Sequence, residues 1–222
     1  MKANSLSTKQ LLVGVGCLLL IAASAIWTWR REFAAPKFNL VLHQSVGRAL
    51  AEETARLVNH TGKVVVIAIE LAGVPELKAQ LDAFEHALHR FPGIKLEKSY
   101  KVETDDKPKY SFGTGLSGRR FVRIVNKNLE ADALVSFIGV PTLSSEDLAQ
   151  LKKAPKFVAE ARSAEKLKRL FEQKVLSAAI VSRFQFPTPI KGQPRSPQEW
   201  FDQRYQIVTT SNLGELPNGK DE

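Results

Sequence analysis

The stretch from Leu11 to Trp29 (LLVGVGCLLLIAASAIWTW) carries no charged side chain and has no counterpart elsewhere in the chain. As an α-helix its roughly 19 residues would run about 28 Å, close to the ~30 Å hydrocarbon core of a bilayer. Trp27 and Trp29 stand at its end, where amphipathic rings favour the headgroup zone, and Arg30-Arg31 stop it. Residues 10–29, with Leu11 at their head, are therefore read as one transmembrane helix behind a tail of residues 1–9. The lipid bilayer is the first expected partner.

A second reading of the same residues stays open. Lys2 and Lys9 make a basic n-region, Leu11 to Ala22 an apolar h-region, and Ala23-Ser24-Ala25 an A-x-A cleavage site. Ile26-Trp27-Thr28-Trp29 prolong the apolar run beyond that site, which favours a retained signal anchor over cleavage after Ala25. Cys17 does not suggest a lipoprotein, because Gly14 occupies the usual Leu position of a lipobox. Basic residues flank both ends, so charge bias does not orient the segment. A short N-terminal tail stays most readily in the cytoplasm. The expectation is a single-pass protein of the inner (cytoplasmic) membrane with its C-terminal domain in the periplasm.

The exported part suits one domain. Cys17 is the chain's only cysteine, so a disulfide framework and a cysteine metal site are both excluded from that domain. A net charge of +9 fits attraction to anionic headgroups or to an acidic partner surface. Along the sequence the basic residues are spread through helical segments without interleaved aromatics, which argues against nucleic acid.

Residues 30–37 read as a linker. Phe38 to Leu42 is a short apolar run that predicts a strand, and Val46 to Leu57 predicts a helix ended by Asn59-His60-Thr61-Gly62, with Gly62 near its C-cap. Asn59-His60-Thr61 is also a formal glycosylation sequon. Lys63 to Glu70 (KVVVIAIE) is apolar without alternation, the mark of a strand buried on both faces. Val74 to Phe91 repeats Leu77, Leu81, Phe84 and Leu88 at helical steps, and Ile94 to Val102 alternates as an edge strand does. Helix 116–128, strand 131–138, a helix opening at Ser144, strand 156–159, helix 164–173 and strand 175–181 continue the pattern. Tyr205 to Thr209 predicts a late strand, and residues 218–222 a loose tail. Strands alternating with helices specify a three-layer, doubly wound, mainly parallel α/β fold.

Residues 46–186 resemble the C-terminal lobe of type 1 periplasmic sugar-binding proteins, the fold of lac-repressor-type sensors. The features that carry the resemblance are Gly62-Lys63-Val-Val-Val-Ile, the helix ending in Phe91-Pro92-Gly93-Ile94-Lys95, and Ala131-Asp132-Ala133-Leu134-Val135. Glu172 to Val181 resembles the final helix-to-strand step, and Phe201 to Asn212 the closing strand and tail. The resemblance implies one such lobe over residues 38–186, a C-terminal extension over 187–222, and recognition of a small polar solute. The chain departs from the family in two places. Where the family has an Asn-Asp pair after the strand matching 131–138, Gly139-Val140-Pro141 stands here. Where the next strand ends in Asp, this chain has Glu160-Ala161-Arg162. The membrane segment takes the place of the first lobe.

Little else carries chemistry. Gly113-Thr-Gly115-Leu-Ser-Gly118 fits G-x-G-x-x-G, yet Thr104 to Tyr110 before it is not a buried strand, so a flexible turn is the reading rather than a nucleotide site. His86 and His89, three apart on one helix, lack a third ligand. There is no G-x-S-x-G elbow and no H-E-x-x-H. An enzyme, a cofactor and a metal are therefore not expected.

In doubly wound sheets ligands bind beyond the carboxyl ends of the strands. Here that edge comprises Glu70, then Phe112, Gly113 and Gly115, then Gly139, Val140 and Pro141, and finally Arg162 and Arg183. Ile138, Val140, Pro141 and Phe112 are expected to lie exposed there beside the two arginines. This face is the expected binding surface for a solute, a membrane protein complex or a second copy. The alternative function is an accessory subunit of a membrane complex that binds no small molecule.

Overall fold

The computed structural model describes residues 8–32, 38–69, 74–102, 116–153, 155–161, 167–183 and 194–215. The chain divides into two units, Met1–Phe38 and Asn39–Glu222. Among its described residues the first holds one helix, α1 (Thr8–Glu32). Its window Leu12–Trp29 is long and apolar enough to cross a membrane, and its described side chains all lie exposed.

The second unit runs α2 (Leu40–Leu57), β1 (Thr61–Ile69), α3 (Pro75–Leu88), β2 (Gly93–Val102), α4 (Gly118–Lys127), β3 (Ala133–Ser136), α5 (Ser145–Ala149), β4 (Lys156–Ala161), α6 (Leu167–Glu172), β5 (Ala178–Ser182), α7 (Pro197–Arg204) and β6 (Tyr205–Thr209). The strands form one sheet in the order β2-β1-β3-β4-β5-β6. All neighbours are parallel except β5 and β6, which pair antiparallel from Ala178↔Thr209 to Ser182↔Tyr205. The fold is the expected three-layer α/β one.

Both sheet faces are covered. Val64, Val66 and Ala68 of β1 join α2, α3 and Phe201 of α7 in one apolar cluster. Val65 and Ile67, pointing the other way, join Phe121, Ile124 and Val125 of α4 and Leu167, Leu170 and Phe171 of α6 in the other. Period-two alternation of side chains thus sends an unbroken apolar run into two separate cores. Both clusters consist only of residues of the second unit. The strand β2, on one edge of the sheet, carries a register shift. Val64 faces Leu96 and Val65 faces Lys98, so Glu97 is the extra residue of a bulge.

Local chemistry moves several boundaries. The apolar run Phe38–Leu42 is not a strand: α2 begins six residues before the expected Val46, because the Asn39 side chain accepts from Leu42 N (3.1 Å) and caps a helix there. Gly62 is not the C-cap of that helix. The cap is Val58, Asn59 and His60 take the left-handed conformation (φ 53° and 60°), and Gly62 lies inside β1 at φ 135°. A Cβ on Gly62 would come 2.6 Å from Asp132 Oδ2, an oxygen that accepts from Lys63 N at 2.8 Å. His60 is held by stacking on Phe91, ring centroids 5.1 Å apart. β3 covers half of the expected 131–138 run. β5 starts at Ala178 rather than 175, because Lys174 (φ 57°) turns the chain and leaves Val175 and Leu176 as buried turn residues. Residues 164–166 of the expected sixth helix lie outside the described residues. Ser144 caps α5 as expected, in a capping box: Asp147 N donates to Ser144 Oγ (3.1 Å) and Ser144 N to Asp147 Oδ2 (3.0 Å).

The contact of α2 with α3 is the tightest between helices. Gly47 is buried, and a Cβ there would overlap the Gln80 carbonyl oxygen and reach 3.0 Å from Phe84 N. Both obstacles are backbone, so neither can swing aside. Gly47→Ala is expected to destabilise the domain by about 2 kcal/mol or more, read from urea unfolding, since overpacking typically costs about 1–3 kcal/mol. Gly214→Ala, with nothing within 4 Å, should leave the midpoint in place.

His43 on α2 is half-buried, and Gln80 Nε2, which can only donate, lies 3.3 Å from its Nδ1. Burial lowers its pKa below the ordinary 6.5, against an opposing pull from the Glu76 carboxylate. The unfolded chain therefore binds the extra proton first. Stability is full above 6.5 and falls as pH drops toward the folded-state pKa. His43→Gln should flatten the slope of unfolding free energy between about pH 7 and 5, measured by urea titration at each pH.

Candidate strand-end site

The sheet order sets where a ligand can enter. From β1 the chain leaves through α3 on one face to β2, whereas β3 is reached through α4 on the other. The connections diverge between β1 and β3, and the crevice of a doubly wound sheet opens at that switch point. Its described floor is Ile69 at the end of β1 and Ser136 at the end of β3.

Ser136 is fully buried, and it organises the loop after β3. Its Oγ donates to Gly139 O (2.7 Å) and accepts from Ile138 N (3.3 Å), the local hydroxyl-to-backbone pattern that replaces ladder bonds with a turn. Gly139 has φ 97°, a conformation that favours glycine, and its nearest obstacle to a Cβ is Glu160 O at 4.0 Å. The turn folds the next residues inward. Pro141 is buried, and Ile138 and Val140 are half-buried against the α4–α6 core. The apolar area expected to lie exposed at Ile138, Val140 and Pro141 is thus mostly packed.

Beyond Pro141 the loop is tied to the start of α4. Thr142 forms an isolated parallel bridge with Ser117. Gly118 sits so close that a Cβ would overlap Asp147 Oδ2 and lie 2.6 Å from Thr142 O. The last glycine of the G-x-G-x-x-G run therefore serves close packing. Asp147 is held as an anion below the usual carboxylate range, first by the Ser144 backbone N–H and then by its hydroxyl, with Arg119 adding a smaller pull.

Of the residues singled out by sequence, Gly139, Val140 and Pro141 come together at the end of β3. Glu70, Phe112, Gly113, Gly115 and Arg162 lie outside the described residues. Arg183 has a different local role. Its backbone N–H donates to Arg204 O (2.8 Å) and its Nε to Tyr205 O (2.9 Å), so it clamps β5 to the start of β6, two strands along from Gly139. One polar group at this edge carried no signal strong enough to single out: Ser136, a lone hydroxyl inside an apolar run.

A cavity of about 410 Å³ between α2 and α3 is lined by Gln44, Arg48, Asp82, Ala83, His86, Ala87 and Arg90. Two of its charges already sit in surface ion pairs, Arg90 with Glu52 (2.8 Å) and Asp82 with Lys78 (2.6 Å). The hollow follows from the small Ala83 and Ala87 among long side chains. His86 and His89 are exposed, and no group of three metal-ligating side chains occurs among the described residues.

No protein-family model matches the chain, and no curated protein sequence is significantly similar to it. Solved structures are similar in fold. The arabinose binding protein AraP of Geobacillus stearothermophilus matches with a TM-score of 0.55 at 15% identity, over 79% of this chain and 63% of that one. A solute binding protein of an ABC transporter from Burkholderia graminis, in complex with D-arabinose, matches at 0.52 and 17% identity, over 79% and 62%. A sugar-binding protein of a sugar ABC transporter from Bacillus halodurans matches at 0.51 and 15%, over 79% and 64%. The chain thus spans just over three-fifths of the length of these proteins. The expected fold, that of a type 1 periplasmic binding protein lobe, is the one found.

Ser136→Ala removes the hydroxyl that closes the 136–139 turn and leaves the Gly139 carbonyl without that donor. The expected cost is about 1–2 kcal/mol in urea unfolding, with faster amide exchange at Ile138, whose N–H the hydroxyl accepts. Exchange unchanged at that amide would show that the hydroxyl does not organise the loop.

Proposed function

We propose that this chain is an exported, membrane-tethered and non-enzymatic binding module that recognises a small polar solute at the carboxyl ends of β1 and β3. The observation that carries the reading is the switch point between those strands, set in a lobe whose fold is that of sugar-binding proteins. Glu70, Phe112, Gly113, Gly115, Gly139, Val140, Pro141 and Arg162 are the residues proposed to surround the solute. Arg183 contributes by holding the sheet edge.

In a two-lobed binding protein hinge closure buries the ligand, and the recognition proposed here is confined to what one lobe presents. The positions that would carry Asn-Asp and Asp hold Gly139-Val140-Pro141 and Glu160-Ala161-Arg162. What Ser136 leaves at the rim is backbone, with the Gly139 carbonyl already engaged by its hydroxyl. Modest affinity at this face is the consequence, because the residues that stand in place of the family's polar pair offer a solute few polar side chains. The apolar helix α1 supports a tether, which keeps a weak binder beside the membrane it serves.

The test is a thermal-shift series on the full chain in detergent with pentoses, hexoses and polyols, D-arabinose first. Ligand at 100 times its Kd adds about 2.7 kcal/mol, and a domain of this size gains roughly 2–4 °C per kcal/mol. A rise of about 5–10 °C with at least one sugar is expected. A flat series at high millimolar sugar would overturn the solute reading.

A further inference from the structure

The two helical layers carry opposite charge. In sequence the basic residues look dispersed, but the topology sorts them. Helices α2, α3 and α7 cover one face of the sheet with four Lys/Arg against seven Asp/Glu. Helices α4, α5 and α6 cover the other with six against three. Loop residues Lys152, Lys153 and Lys174 adjoin that second layer and add cations.

The basic layer has a defined centre. Helix α4 (GRRFVRIVNK) has no acidic residue, and Phe121, Val122, Ile124 and Val125 bury its inner face. Arg119, Arg123 and Lys127, at four-residue steps, therefore share an outer row, and all three are exposed. The loop 150–153 is fastened beside the row's end: Asn126 Nδ2 donates to Gln150 O (2.8 Å) and Lys152 N donates to Asn126 Oδ1 (3.1 Å). Lys153 Nζ reaches Leu129 O (3.2 Å). The five cations thus form one continuous surface.

The layers also differ in how their charges are used. Arg56, Lys78 and Arg90 of the first layer each meet a carboxylate within 2.9 Å. None of the ion pairs among the described residues involves Arg119, Arg123, Lys127, Lys152 or Lys153. A cluster of like charges repels itself, and an anionic surface relieves that repulsion.

We propose that the outer face of α4, with Arg119, Arg123, Lys127, Lys152 and Lys153, docks on anionic phospholipid headgroups. A lipid surface fits better than nucleic acid, since the one aromatic of this helix, Phe121, is buried at 1% exposure and offers no base a stacking partner. A lipid surface is also at hand. Residues 33–37 alone separate α1 from Phe38, and so short a segment spans at most roughly 20 Å. The inference rests on the tethered reading above for its biology, and its chemistry can be tested without the tether.

Residues 38–222 contain both apolar clusters and the whole sheet, so this piece can be examined by itself. It should co-sediment with phosphatidylcholine vesicles containing about 30% phosphatidylglycerol and not with pure phosphatidylcholine. Raising salt from about 0.1 M to 1 M, which shortens the Debye length from about 10 to 3 Å, should release it. The pair Arg123→Glu/Lys127→Glu should lower the partition coefficient at least about tenfold, and the pair Arg48→Glu/Lys78→Glu, with the same change in net charge on the opposite layer, less than about twofold. If the reversed pair melts early by circular dichroism, Arg123→Gln/Lys127→Gln reads the same surface with a smaller drop. Equal loss for the two layers, or no retention by anionic vesicles, overturns the proposal. So does tighter binding to random-sequence duplex DNA than to the vesicles at equal salt. The tether is scored separately, by the intact mass of full chain recovered from washed membranes. A mature N-terminus at Ile26 would sink the tether and leave the vesicle result standing.

Discussion

Burial of β1 on both faces is the constraint on which the domain depends. Val64 to Ala68 are at most 1% exposed, and successive side chains belong to opposite cores. Such a strand needs a helical layer on each side, and its backbone needs hydrogen-bonded neighbours on both edges. β2 and β3 supply those edges, and the crossovers that reach them supply the layers. The divergence of these two crossovers makes the switch point. Site position and core packing are therefore consequences of one hydrophobic run.

The parts of this fold legible in the sequence are those with an unambiguous period or cap. The unbroken KVVVIAI run predicted a doubly buried strand, and the Ser144–Asp147 spacing predicted a helix start. Phe38–Leu42 was illegible because a short apolar run suits a strand or a helix equally. The Asn39 cap decides it, and a cap acts only where the residues downstream can continue a helix. The antiparallel course of β6 was equally hidden, since strand direction is set by the path of the connection and not by the strand's own residues.

The strand-end residues were less legible than the fold. Sequence located Gly139–Pro141 at the right edge but said nothing of Ser136, whose hydroxyl turns the loop inward and buries Pro141. A serine within an apolar run looks the same whether it faces solvent or the backbone beside it. Arg183 is expected from sequence on the binding face, because only the antiparallel partner reveals the Tyr205 carbonyl it holds. The sorting of charge onto layers was invisible for a related reason. The charge of one helix says nothing of its neighbours, and only the crossover hands decide which helices share a layer.

The bulge at Glu97 has a consequence for crowding. An edge strand of ten residues would otherwise offer a straight row of amides to any second copy. One surplus residue breaks the repeat of that row, and charged Lys95 and Glu97 stand exposed along it. A chain arriving in register on one side of the bulge falls out of register on the other. The sheet is finite by construction at β2.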